Sequence, residues 1–285
     1  MVLSDFYSRM QEGVFSQNLE GTYVKRRPSR CSGVILAFAI VNLALALSSA
    51  YTYFNTKTTN IQYNSDIQST VFLPKGTSYI YISVDGIYQN YLSYTKSINF
   101  RQLKGKTTGL NLSAASPFDY NGDKPYYPAG AIAATYFQDI VTIDNLEIES
   151  DNISRGADMD LIGFTSYLPD QISMPINWTS YTNLNTTPLN TFTGSGLPIL
   201  NERFVNWITL SPFSSFKKLW GRVNVKQSGE YNLTIMSSYG IATKKSLFIC
   251  EKSILGIPNH YASLSFLIAG ILSILAAIYL SKYGY

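Results

Sequence analysis

The sequence predicts a two-span α-helical membrane protein with a large β-rich domain between the spans. That domain is expected to be antiparallel and sandwich-like, with short helices and long loops. Two observations carry this. Residues 32–53 and 261–280 are apolar runs without a single charge, and the segment between them is polar, rich in Tyr, Asn and Thr, and alternates with period two in several places. A mean hydropathy near zero hides this division of the chain into greasy ends and a polar middle.

The first run reads SGVILAFAIVNLALALSSAYTY. As a helix it spans roughly 33 Å, enough for a hydrocarbon core of about 30 Å. Inside a bilayer the backbone must satisfy its own polar groups, which a helix does. Lys25, Arg26, Arg27 and Arg30 stand just before it, and only Lys57 follows closely. The positive-inside rule therefore places residues 1–31 in the cytosol and the segment 54–260 on the exoplasmic side. A cleaved signal peptide is disfavoured by the length of the run and its depth in the chain. Asn42, its one amide, either bonds a partner helix or is tolerated singly. In the tail, Phe6, Met10, Val14 and Phe15 would line one face of a short amphipathic turn in an otherwise unstructured segment.

The second run, YASLSFLIAGILSILAAIYL, returns the chain to the cytosol and leaves a short tail at 281–285. Ser265, Ala269, Ser273 and Ala277 recur every fourth residue. Such a row of small side chains lets another helix approach closely.

Within the outer segment, Tyr79, Tyr81 and Ser83 alternate with Ile80, Ile82 and Val84 over residues 77–84, as in a strand. Residues 223–225 and 231–236 flank Gln227-Ser228-Gly229 and read as a hairpin. Residues 247–250 read as another strand, 202–207 and 213–219 as short helices, and 151–198 as surface loops. Five Asn-x-Ser/Thr sequons, at Asn111, Asn152, Asn177, Asn185 and Asn232, all lie between the spans, in keeping with the orientation read from charge.

Much chemistry is missing. The net charge is only +4, much of it in the juxtamembrane tail, which suits anionic inner-leaflet lipid and not nucleic acid. The two cysteines, Cys31 and Cys250, are expected to face opposite compartments, so they cannot pair within one chain. His260 is the one histidine, and no serine has a G-x-S-x-G setting. There is no H-E-x-x-H and no C-x-x-C to signal a metal. Gly105-Lys106-Thr107 imitates the end of a phosphate loop, but Phe100 stands where its first glycine belongs. Neither span carries an ionisable residue to mark an ion path. No catalytic residue, cofactor or metal is expected.

Tyr88-Gln89-Asn90, Tyr94, Lys96-Ser97, Gln102-Leu103 and Gly105 form a pattern that resembles the signature of the cell cycle control protein 50 family. Pro128-x-Gly130-x-Ile132-Ala133 with Phe137-x-Asp139 resembles a second block. A third is matched by Glu202, Phe204, Trp207-Ile208 and Phe216-Lys217-Lys218-Leu219. Gly229-x-Tyr231, Tyr239, Gly256 and Asn259 match the approach to the second span, and Phe15-x-Gln17 with Leu19 resembles the family's tail. Four blocks fall in order over nearly the whole chain.

The resemblance implies a non-catalytic β-subunit of a type-IV P-type ATPase, a phospholipid flippase. The pump would carry the ATP, the Mg²⁺ and the phosphorylated aspartate. The subunit would serve its folding, its export from the endoplasmic reticulum and lipid translocation, in the endoplasmic reticulum, Golgi or plasma membrane, with both termini cytosolic. Phe15, Gln17, Leu19, Ser265, Ala269, Ser273 and Ala277 are the expected partner contacts. Tyr88, Tyr94, Trp207 and Phe216 are expected in the core, Pro128 and Gly130 at a turn, and Arg101, Lys104 and Lys106 on a solvated face. Family members typically tie the outer domain with disulfides, whereas Ala129 stands here where the second block has Cys. The competing readings are a two-span trimeric ion channel, which usually has many outer cysteines and a polar second span, and a stand-alone surface glycoprotein.

Overall fold

A computed structural model of the chain describes residues 29–178, 202–253 and 258–283. The tail positions Phe6, Met10, Val14, Phe15, Gln17 and Leu19, the sequon at Asn185 and Gly256 fall outside these ranges. The chain divides into two compact units, one holding the terminal helices and one formed by residues 56–252.

In the first unit, α1 (Ser29–Asn55) and the last helix (His260–Tyr283) are each long and apolar enough to cross a membrane. They pack antiparallel. The Ser263 hydroxyl meets the Ser49 hydroxyl at 2.9 Å, and Gly270 lies against Leu43 so closely that a Cβ there would stand 2.9 Å from Leu43 Cδ2. Ala39, Asn42 and Ala46 are buried on α1. Asn42 answers its own amide by donating Nδ2 to the Phe38 carbonyl at 2.8 Å. Most larger side chains, among them Val34, Phe38, Leu47, Leu264 and Leu272, point outward. Apolar chains turned outward suit hydrocarbon as solvent.

The second unit is built on two antiparallel sheets. The strands are β1 (Thr58–Tyr63), β2 (Ile67–Leu73), β3 (Gly76–Asp85), the short β4 (Tyr120–Asn121) and β5 (Lys124–Pro125), β6 (Ile140–Ile143), β7 (Phe216–Val225), β8 (Gly229–Met236) and β9 (Lys244–Glu251). One sheet has the order β1-β9-β3-β7, the other β2-β8-β6, and β4 pairs only with β5. Ile80, Ile82, Val84, Val223, Leu247 and Ile249 from the first sheet share one core with Val71, Leu73, Val141, Ile143, Leu233 and Ile235 from the second. Inward apolar side chains alternate with outward polar ones on β3 and β8, the period-two pattern of a half-buried sheet.

Two sequence expectations are corrected here. Residues 223–236 do not form a hairpin, because β7 and β8 belong to different sheets. The turn at Gln227-Ser228 is an arch that crosses the core, as is the β2–β3 connection, and the Lys75 amide donates to the Ser228 hydroxyl at 2.8 Å to tie the two arches together. A turn signal marks a reversal of direction; it does not say whether the strands pair edge to edge or face to face. Residues 216–219 are not helical but open β7. Between Ile80↔Gly221 and Tyr81↔Leu219 the pairing skips Trp220, a β-bulge. The extra residue shifts the inward positions from Phe216 and Trp220 to Val223 and Val225. That break in parity hides the strand from a period-two reading.

Long excursions between β3 and β6 and between β6 and β7 carry the short helices α2 (Leu92–Lys96), α3 (Phe100–Leu103), α4 (Ala131–Ala134), α5 (Gly156–Met159) and α6 (Glu202–Ile208), so that the last helix is α7. Residues 151–178 are not merely surface loop: Ile153, Tyr167, Ile172 and Trp178 are buried. Apolar residues spaced irregularly along a Pro- and Asn-rich segment give no periodic signal of that burial.

Candidate functional site

The family-like blocks of the second unit meet beside the sheets, in contacts that join residues as much as 122 positions apart. Ser97, at the end of α2, accepts the Ala131 amide on its hydroxyl at 2.8 Å. Its carbonyl sits where a Cβ on Gly130 would stand at 2.1 Å, and Gly130 has φ +114°. Position 130 thus requires glycine on both counts. Asn99 caps α3 by accepting the Gln102 amide at 2.9 Å. Gln102, fully buried, spends its side chain on the second block: Nε2 donates to the Tyr126 carbonyl at 2.9 Å, and Oε1 accepts the Ala129 amide at 2.8 Å. Ala129 is itself buried. Gly105, with φ +96°, abuts the Phe164 carbonyl, which a Cβ would meet at 1.9 Å.

Thr135 ties three segments. Its hydroxyl donates to the Ala131 carbonyl at 2.8 Å and so accepts from the Tyr94 hydroxyl at 2.7 Å, while its carbonyl accepts the Tyr239 hydroxyl at 2.8 Å. Trp207 donates its indole N–H to the Ile132 carbonyl at 3.0 Å, and Gln89 accepts the Ser211 amide at 2.9 Å. Tyr136 lies among Trp178, Phe204, Trp207 and Trp220, an aromatic cluster with ring centroids 5.5–6.1 Å from its own. Arg203 is buried beside it, its Nε on the Trp220 carbonyl at 2.7 Å and its guanidinium 5.1 Å from the Trp220 ring, so it fastens the β7 bulge.

Asp139 is the charged centre. Its Oδ1 accepts the Ser238 and Tyr239 amides at 2.7 and 2.6 Å; its Oδ2 accepts the Tyr63 hydroxyl at 2.9 Å and Lys245 Nζ at 2.8 Å. Lys245 gives its other protons to Ser237 Oγ at 2.6 Å and the Tyr239 carbonyl at 2.7 Å. Both side chains are essentially excluded from water. Every lone pair and proton is used, the condition under which a buried pair is tolerable.

The electrostatics follow burial. It pushes the Tyr63, Tyr94, Tyr136 and Tyr239 hydroxyls up, so they stay protonated; Tyr63, Tyr94 and Tyr239 use that proton as donors, and the Asp139 charge adds to the effect at Tyr63 and Tyr239. Burial drives Lys218 down to about 8. Burial pushes the Glu202 carboxyl up, but hydrogen bonds from the Ser154 and Asn152 amides, the Ser154 hydroxyl and the Ile153 amide outweigh it and hold the group below the usual carboxylate range. No described cluster of His, Cys, Asp or Glu is placed to hold a metal. His260 packs its ring on Tyr53 and Tyr261.

The structure brings together Tyr94, Ser97, Gln102, Gly130, Asp139, Trp207 and Tyr239. Tyr88, expected in the core, is instead half exposed and stacks flat on Tyr91, with centroids 5.3 Å apart. Arg101, Lys104 and Lys106 are solvent-exposed, as expected. On α7, Gly270 packs on Leu43 of α1; of the small-residue row, Ala277 is buried, Ala269 and Ser273 are half-buried and Ser265 is exposed. Sequence reasoning missed Thr135, for which no signal exists, and Lys245, whose parity with inward Leu247 and Ile249 was available.

A family model described as CDC50: LEM3 (ligand-effect modulator 3) family / CDC50 family matches residues 17–283. Among curated proteins, the chain is similar to a putative ALA-interacting subunit 2 of Arabidopsis thaliana, with 26% identity over 215 residues, 72% of this chain and 60% of the relative. It is similar to the phospholipid-transporting ATPase accessory subunit CDC50 of Chaetomium thermophilum, with 28% identity over 244 residues, 75% of this chain and 56% of the relative. The accessory subunit CRF1 of Saccharomyces cerevisiae is 28% identical over 229 residues, 73% of this chain and 56% of that protein. The chain thus spans little more than half the length of several relatives it matches.

Proposed function

Because the chain belongs to the CDC50 family, whose pattern runs through residues 17–283, we propose that it is the non-catalytic accessory subunit of a phospholipid-transporting type-IV P-type ATPase. One observation carries the reading beyond family membership. Signature residues are spent on holding the domain together: Ser97 on the Ala131 amide, Gln102 on the Ala129 amide, Trp207 on the Ile132 carbonyl, Asp139 on Lys245. Use of these groups as structural ties supports a binding role over a catalytic one.

In this reading residues 56–252 face the exoplasmic side and both termini the cytosol, supported by the cluster Lys25, Arg26, Arg27 and Arg30. The two helices lie beside the pump's transmembrane helices. Since Ala269, Ser273 and Ala277 are the less exposed members of the row, the outward faces, with Ser265, meet the pump, together with the Phe15–Leu19 tail. Binding only the folded pump stabilises it by mass action and favours its export. The test is co-expression with the type-IV pumps of the same genome. One pump is expected to leave the endoplasmic reticulum only when this chain is present. Equal export of every pump without it overturns the proposal.

A further inference from the structure

The fold treats the sequons unequally. In N-glycosylation the asparagine Nδ2 attacks C1 of a lipid-linked oligosaccharide pyrophosphate. The N–C1 bond forms, the C1–O bond breaks, the lipid pyrophosphate leaves, and one Nδ2 proton passes to the transferring enzyme's base. The sugar therefore grows from Nδ2, and the surroundings of that nitrogen in the finished fold decide whether the product is compatible with it.

At Asn177, Nδ2 donates to the Ala134 carbonyl at 2.9 Å. The next residue, Trp178, is 4% exposed and donates its indole N–H to the Ala133 carbonyl at 2.7 Å. The nitrogen is thus aimed at α4, and its neighbour is part of the aromatic core. Asn177 is itself exposed, but a sugar on its nitrogen would grow beside the buried Trp178 and the α4 carbonyl that this nitrogen already serves.

At Asn111 the polarity of the side chain is reversed. Oδ1 accepts the Ser113 amide at 3.0 Å, closing an Asx-type turn, and the backbone carbonyl accepts Asn99 Nδ2 at 2.9 Å. Leu112 is 3% exposed and anchors the turn in the protein. Asn111 itself is exposed, and no described group engages its Nδ2. The oxygen fixes the conformation and leaves the nitrogen uncommitted. Asn152, Asn177 and Asn232 are exposed too; the contacts at the first involve its backbone and the sequon's hydroxyl, and at the last its Nδ2. The Asn152 amide and the Ser154 hydroxyl both donate to Glu202, and Asn232 Nδ2 donates to Asp144 at 2.9 Å.

We propose that Asn111 carries an N-linked glycan in the mature protein and that Asn177 does not. This rests on the exoplasmic orientation of the preceding section, and the experiment separates the two.

The full chain is expressed in a eukaryotic secretory host, purified in mild detergent as a monodisperse species, and mapped by glycopeptide mass spectrometry. Peptide N-glycosidase in ¹⁸O-water marks each occupied site. Asp123→Thr supplies a positive control, since it completes a sequon at Asn121 on the exposed β4–β5 turn. The expected result is an ¹⁸O mark at Asn111, loss of one glycan mass in Asn111→Gln, and no change in Asn177→Gln. A marked Asn121 with Asn111 empty, or with Asn177 occupied in the folded fraction, overturns the site assignment and leaves the orientation standing. An unmarked Asn121 and no glycan anywhere, in cells that glycosylate a co-expressed secreted reporter, overturns the orientation and the site assignment with it.

Discussion

A methyl group on Gly130 would stand 2.1 Å from the carbonyl oxygen of Ser97. The two residues belong to separate signature blocks, and the missing side chain is what lets the blocks close. Gly130→Ala adds a backbone clash to the cost of holding φ at +114° in an L residue, roughly 1–2 kcal/mol by itself. The expected loss is about 3 kcal/mol or more, read as a lower denaturation midpoint of the detergent-solubilised chain. A variant with the wild-type midpoint contradicts the close approach.

Asp139 and Lys245 are predicted to fail singly and recover partly together. Asp139→Asn leaves a buried ammonium without its counter-charge and is expected to cost about 3–5 kcal/mol. Combining it with Lys245→Met removes the stranded charge. The double variant is therefore predicted to be more stable than Asp139→Asn alone, in a chemical-denaturation double-mutant cycle. Additive losses would show that the two groups do not depend on each other.

Glu202 makes the domain acid-sensitive. Its carboxyl titrates lower in the folded than in the unfolded chain, so the stability it contributes is complete above the ordinary value of 4.5 and is lost as pH falls through the folded value. Glu202→Gln is expected to cost about 1–3 kcal/mol at neutral pH. Unfolding midpoints of the two proteins should converge as pH drops below about 4.5. A gap that stays constant with pH removes the carboxylate from this role.

Cys250 is predicted to be silent toward thiol reagents. It lies in β9, 2% exposed, and burial pushes its thiol up to about 11, with Lys217 pulling the other way. In a Cys31→Ser background, a disulfide reagent at pH 8 should leave the native chain unmodified and label it once denaturant is added. Prompt native labelling would place the sulfur at the surface.

Legibility from sequence followed locality. The spans were readable as unbroken apolar runs, and β3 because one periodicity covers it. β7 was not, since the bulge at Trp220 switches its inward parity midway. The arch at Gln227-Ser228 carried a turn signal but no trace of which sheet each strand joins. The family-like residues could be named from their order, while their use could not. The bond from Gln102 to Ala129, or from Glu202 to Ser154, joins groups far apart in the chain. The two spans' closest approach, at Gly270 on Leu43 and Ser263 on Ser49, lies off the small-residue row that the sequence singled out.

The most direct measurement is purification of the tagged full chain from its native membranes in mild detergent, with the mass and composition of the eluted complex determined. The account predicts a one-to-one complex with a P-type ATPase, and ATP turnover that disappears when that partner is removed. A homotrimer, a lone monomer, or hydrolysis by the isolated chain would contradict it.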